Sequence, residues 1–161
     1  MTETIGAADD GDIIDFLGAA TDVRRMISML TLPVAREYGI SERALGIIFL
    51  VYAGLDRPGL LIDYLNVLPS TITSDIDKLV AADMLRRTSS TDDRRVTRIE
   101  VTPRGLAAQQ KSLRQLHEFF RAKAAGVALD ELQACIATLR KLSGFAQSAV
   151  PNPLRKADDD K

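Results

Sequence analysis

Apolar positions along the chain recur at helical spacing in six stretches and switch to strict alternation in one. From Asp12 onward, Ile13, Ile14, Phe16, Leu17, Val23, Met26, Ile27 and Leu30 follow helical spacing, which predicts a helix to about Leu32, where Pro33 ends or bends it. Gly39 breaks the chain, and Ser41 is a candidate N-cap for a second helix, Glu42 to Ala53. That helix is apolar nearly all round (Leu45, Ile47, Ile48, Phe49, Leu50, Val51), the pattern of central burial. Arg57-Pro58-Gly59 reads as a turn before a short third helix, Leu60 to Leu65. Asn66 tolerates the left-handed conformation a tight helix–helix turn needs. Pro69 suits the first position of a fourth helix, with Leu68 or Ser70 as its cap. On that helix Ile72, Ile76, Leu79 and Val80 make an inward stripe. Ser70, Thr71, Thr73, Ser74 and Lys78 make an outward one.

The alternation comes next. A first strand spans Leu85 to Thr88, and Thr97, Ile99 and Val101 alternate with Arg98 and Glu100 as a half-buried second strand. Ser89 to Arg95 is the loop tip between them. Thr102-Pro103 opens a long amphipathic helix, Arg104 to about Ala125, bearing Leu106, Leu113, Leu116, Phe119 and Phe120. At about 1.5 Å per residue it is some 30 Å long. Gly126 breaks it, and Asp130 is read as the cap of a last helix with Leu132, Ile136, Leu139 and Leu142 on one stripe.

This order predicts a mainly α (α+β) protein: a winged helix-turn-helix with a two-stranded wing, flanked by N- and C-terminal helices that form a dimerisation domain. The expected organisation is a flexible N-terminus (1–11), the N-terminal part of the dimerisation helices (12–40), a DNA-binding domain (41–102), the C-terminal dimerisation helices (103–148) and a polar tail (149–161). The outer helices have no obvious partner within the small central domain. A two-fold dimer in which they interleave would bury their stripes and present two recognition helices to palindromic duplex DNA.

Charge sharpens this picture. The chain of 161 residues has a formal net charge of −1. Lys78 to Arg104, however, holds seven basic residues (Lys78, Arg86, Arg87, Arg94, Arg95, Arg98, Arg104) against four acidic ones. A basic patch on an acidic body suits a surface aimed at phosphate, although a solvated hairpin would look the same. Chemistry of other kinds finds little support. One His (His117) and one distant Cys (Cys135) do not supply a metal site. No Gly-rich phosphate loop or nucleophile–base pair is present, so neither an enzyme nor a cofactor is expected. Cys135 on the last helix reads as a small buried hydrophobe. The longest apolar run, Ala44 to Leu55, is too short to span a bilayer. No N-terminal apolar core with a basic flank appears, so a cytoplasmic protein without membrane contact is expected.

Asp93-Arg94-Arg95-Val96-Thr97-Arg98-Ile99-Glu100-Val101-Thr102-Pro103-Arg104-Gly105 resembles the wing signature of the MarR family of bacterial transcriptional regulators. That signature runs Asp-x-Arg, an alternating strand, then Leu-Thr-x-x-Gly, with Val101 here in place of Leu. Leu65-Asn66-Val67, Ser70-Thr71-Ile72-Thr73, Asp77-Lys78-Leu79 and Tyr38-Gly39-Ile40-Ser41 are similar to the family's Leu-Gly-Val turn, Ser-Thr-Val-Thr start, Asp-Arg-Leu and Gly-Leu-Ser step. The resemblance covers about residues 12 to 148. It implies a homodimeric winged-helix regulator, a repressor or activator, with a small aromatic effector in many members. It also implies that Arg95 enters a minor groove, oriented by Asp93, while Arg94 and Arg98 contact phosphates. Three positions depart from the pattern. Ser74 stands where many members carry Arg, Asp75 and Asp77 add negative charge to the same helix, and Asp83 replaces a usual Gly.

The candidate DNA contacts are therefore Ser70, Thr71, Thr73, Ser74, Lys78, Arg94, Arg95 and Arg98, with Asp93 as wing support. Phe16, Tyr38, Phe49 and Tyr52 are candidates for an effector pocket, and core packing would explain them equally. Two rival readings stay open: a non-specific architectural DNA binder, and a winged-helix protein-interaction module.

Overall fold

The computed structural model describes residues 8–89, 97–123 and 126–142. Its elements are α1 (Asp10–Glu37), α2 (Glu42–Tyr52), α3 (Pro58–Leu65), α4 (Pro69–Ala81), β1 (Leu85–Ser89), β2 (Thr97–Val101), α5 (Pro103–Lys123) and α6 (Leu129–Leu142). The strands form one antiparallel pair, in register from Leu85 opposite Val101 to Ser89 opposite Thr97. This is the mainly helical winged helix-turn-helix that the pattern predicts.

Three helices end the same way. After α1, Ile40 N–H donates to Ala35 O (2.9 Å) and Gly39 N–H to Arg36 O (3.1 Å). After α2, Leu55 and Gly54 donate to Leu50 and Val51. After α4, Met84 donates to Leu79 (2.8 Å) and Asp83 to Val80 (3.0 Å). Each is a Schellman closure, which needs a left-handed residue. Gly39 and Gly54 supply it freely (φ 71° and 98°), whereas Asp83 holds φ 56° with a side chain, at a cost of about 1 kcal/mol. Asn66 (φ 49°) turns the chain after α3, as read from its type.

The structure corrects several boundaries. The first helix starts at Asp10, behind a reciprocal cap in which the Asp9 carboxylate accepts from Asp12 N–H (2.9 Å) and the Asp12 carboxylate accepts from Asp9 N–H (3.1 Å). It passes Pro33 instead of stopping at Leu32. Pro33 removes one helical hydrogen bond, and the turn after it is held by the complete burial of Val34 and Ala35. The third helix begins at Pro58, so Pro58 and Gly59 are its first residues and not a turn. Leu68, not Ser70, occupies the N-cap of α4, and its carbonyl accepts from Thr71 N–H (3.0 Å). Asp130 lies inside the first turn of α6, one residue after its start. Ser41 caps α2 as expected, accepting from Ala44 N–H at 3.1 Å.

The core sits in the central domain. Leu45, Ile47, Ile48, Leu61, Ile72, Ile76, Leu79, Met84, Leu85 and Ile99 are fully buried. Val34 of α1 and Ala108 of α5 join the same cluster, so the inner ends of two outer helices do have partners in the central domain. Their other stretches do not. Ile13, Ile14, Phe16, Leu17 and Val23 on α1 are exposed, and so are Leu132, Ile136, Leu139 and Leu142 on α6. Cys135 is exposed as well, contrary to its reading as a buried hydrophobe. In the single chain α6 has no buried residue.

One joint ties wing, α4 and α5 together. Thr102 Oγ1 donates to Asp83 O (2.6 Å) and accepts from Gly105 N–H (3.1 Å). Thr102 N–H donates to Met84 O at 3.1 Å. The residue that links β2 to α5 is thereby bonded to the turn that ends α4.

Candidate nucleic-acid interface

α4 owes its position to an inner face of Ile72, Ile76 and Leu79 and to one charged anchor. Asp75 falls on that inward stripe and its side chain is only 7% exposed. Arg43 Nη2, from the first turn of α2, donates to Asp75 Oδ1 (3.0 Å) and lies 2.9 Å from Oδ2. The second contact is a charge contact without hydrogen-bond alignment, and Oδ2 has no other partner. Asp75 therefore does not add charge to the outer face of the helix; it fastens the helix to α2. Sequence reasoning missed this pair. An acid at position 75 of the stripe 72, 75, 76, 79 was the available signal, because a buried carboxylate requires a partner. Arg43→Ala is expected to destabilise the fold by about 1–2 kcal/mol, since a buried acceptor is left unpaired while the lost guanidinium is itself half in water. Chemical denaturation would check this, and Asp75→Asn in the Arg43→Ala background should restore part of the loss.

The outer face is open. Ser70, Thr73, Ser74 and Lys78 are exposed, and Thr71 is half-buried. Thr73 Oγ1 donates to Pro69 O (3.0 Å), so it must release that bond before donating to a phosphate. The spacing places these side chains on one side of a 13-residue helix whose other side is packed, the arrangement a major-groove helix requires.

The basic residues flanking α4 are largely engaged. Arg86 pairs with Glu100 across the sheet (2.6 Å) and Arg87 with Asp77 of α4 (2.7 Å). The Arg98 guanidinium bonds the Asp56 carboxylate, and Asp56 O also accepts from Ile99 N–H at 2.7 Å. Arg98 bonds Asp56 through one nitrogen and is nearly half exposed, so its other N–H groups stay open to a phosphate. Asp56, in the α2–α3 connection, carried no signal in the sequence because it lies 42 residues from Arg98. Arg104 stacks 5.8 Å over the Tyr38 ring. Asp93, Arg94 and Arg95 lie outside the described residues.

The four aromatic candidates do not gather. Phe49 lines a cavity of about 250 Å³ with Ile27, Thr31, Glu42, Leu45 and Leu116. Phe16 lines a separate opening beside Leu139 and Leu142. Tyr38 lies under Arg104, and Tyr52 is exposed. Among the described residues no helix is long and apolar enough to cross a membrane.

Residues 58–97, from α3 through α4 to the start of β2, match the model of the MarR family. No curated protein sequence matches the chain significantly. Solved structures do resemble it. A transcriptional regulator from Thermotoga maritima shares 23% identity over 83% of this chain and 95% of its own, with a TM-score of 0.59. A Staphylococcus aureus MarR, in complex with salicylate and kanamycin, shares 15% over 87% and 95%, with a TM-score of 0.67. A S. aureus MepR mutant bound to an oligodeoxyribonucleotide shares 13% over 82% and 98%, with a TM-score of 0.54. Fold and helix-turn-helix sequence agree: the chain has the winged helix-turn-helix fold of these proteins, and its residues 58–97 match the MarR family model.

Proposed function

We propose that the chain acts as a homodimeric repressor that binds a palindromic operator and is released by a small-molecule effector. The observation that carries this reading is α4 itself. Its inner face is locked by Ile72, Ile76, Leu79 and the Arg43–Asp75 pair, while its outer face offers hydroxyls and one cation beside an antiparallel hairpin. Ser70, Thr71, Thr73 and Ser74 would bond phosphates or base edges, and Lys78 the backbone. Arg94 and Arg95, with Asp93 in support, would extend the contact from the wing. The second copy would be held by residues 12–40 and 103–148; among the described residues the apolar stripes of α6 and of the N-terminal part of α1 are exposed in a single chain.

A duplex selected from random sequence tests the reading by fluorescence anisotropy. Log K should fall with log salt at about −0.9 per phosphate contact. Arg95→Ala is expected to weaken binding by about 1–3 kcal/mol and to leave the dimer intact. Equal affinity for all duplexes would instead favour an architectural binder. One observation favours the interaction-module reading: Asp77, Glu100 and Asp56 already occupy Arg87, Arg86 and Arg98. Absence of any salt-dependent duplex binding would decide for it.

A further inference from the structure

From the cavity between α1, α2 and α5 we infer that the effector is a cation, an amine or ammonium on an aromatic or branched apolar body. The inference rests on the effector-released reading above and names the chemical class of its ligand. The cavity measures about 250 Å³, and its walls are mostly apolar: Ile27, Leu45, Phe49 and Leu116. Its charge comes from one group, Glu42. No lysine or arginine lines it.

Glu42 is fixed. Ser28 Oγ donates to its Oε2 (2.8 Å), and Thr31 Oγ1 shares its single proton between Glu42 Oε1 (3.1 Å) and Ile27 O (3.0 Å). Both donors sit on α1, one turn apart, so the carboxylate is clamped against that helix. The two donors are neutral, and among the described residues no cation pairs with Glu42. An ionised carboxylate offers about four lone-pair positions, of which the hydroxyls use two. A half-buried negative charge, with acceptor capacity left over and apolar walls beside it, is complementary to an ammonium carried on a hydrophobic body. Phe49 adds an aromatic ring to the same lining, and an aromatic ring attracts a cation placed over its face. The same surroundings reject a carboxylate or phenolate ligand, because its charge would approach Glu42 with no cation to offset it.

Three near-isosteric probes separate these cases: 2-phenylethylammonium, 2-phenylethanol and 3-phenylpropionate, titrated calorimetrically into the full-length chain without DNA. The ammonium should bind at least about tenfold more tightly than the other two, the size of one hydrogen bond to a charged partner. Glu42→Gln keeps the shape and an acceptor and should abolish that preference. Leu116→Lys leaves Glu42 and its clamp in place, brings a cation to the cavity, and should shift the preference towards phenylpropionate. Tighter binding of the propionate or the alcohol by the unaltered protein, or no binding of any probe, overturns the inference. So does an ammonium preference that survives Glu42→Gln. Operator release is read separately by anisotropy. If the ammonium binds through Glu42 and DNA affinity stays unchanged, the ligand class stands and the effector-released reading fails.

Discussion

Replacing Gly105 with alanine is expected to destabilise the protein by about 3 kcal/mol, the upper range for forcing extra volume into a packed interior. A Cβ at Gly105 would lie 2.2 Å from Met84 O and 3.0 Å from Val101 Cγ1. The first neighbour is backbone, and it cannot swing aside. Met84 O already accepts from Thr102 N–H, so relief would require opening the joint between the wing and α4. Urea denaturation measures the loss. Gly59→Ala is the control: it is also helical, with nothing within 4 Å of its Cβ, and should be neutral or stabilising by up to about 1 kcal/mol. Equal stability of the two variants would mean that the close approach at Gly105 carries no energetic weight.

The second large effect concerns assembly. Leu17→Lys and Ile136→Lys are each expected to convert a dimer to a monomer in sedimentation and to weaken operator binding about 100-fold or more, because the second half-site is then no longer bound intramolecularly. Leu17 is 57% exposed and Ile136 39% in the single chain. Lysine at either position costs the isolated chain little, and the circular dichroism spectrum should not change. A lysine inside a dimer interface would be a buried unpaired charge. Variants that remain dimeric would show that the stripes on α1 and α6 serve something other than self-association.

Much of this architecture could be read from single positions. Ser41, Asn66 and Pro69 each punctuate the chain where their conformational preferences dictate, and the alternation from Thr97 to Val101 gave β2 to the residue. Three of the misreadings share a cause: local rules lost to tertiary packing. Pro33 signals a stop, but buried Val34 and Ala35 carry the helix past it. Asp75 has the polarity of a surface residue, yet its place on the apolar stripe sends it inward to Arg43, 32 residues away. The Arg98–Asp56 pair likewise joins segments that no local pattern connects. Pro58 could have been read correctly, since the rule that placed Pro69 at a helix start applies there equally. Cys135, read as a buried hydrophobe because no His or helix start adjoins it, is exposed in the single chain.

The Thr102 joint has a mechanical consequence. It fastens the first turn of α5 to the C-terminal turn of α4 through short polar bonds, and α5 as a whole extends over 21 residues, about 30 Å. Ala108, Gln109 and Ser112 are buried too, so the lever is the stretch from Leu113 to Lys123, about 16 Å, and swinging it by roughly 5° moves the distal tip by roughly 1.5 Å. In a two-fold assembly gripped at those distal tips, a small tilt of that stretch therefore changes the distance between the two reading heads.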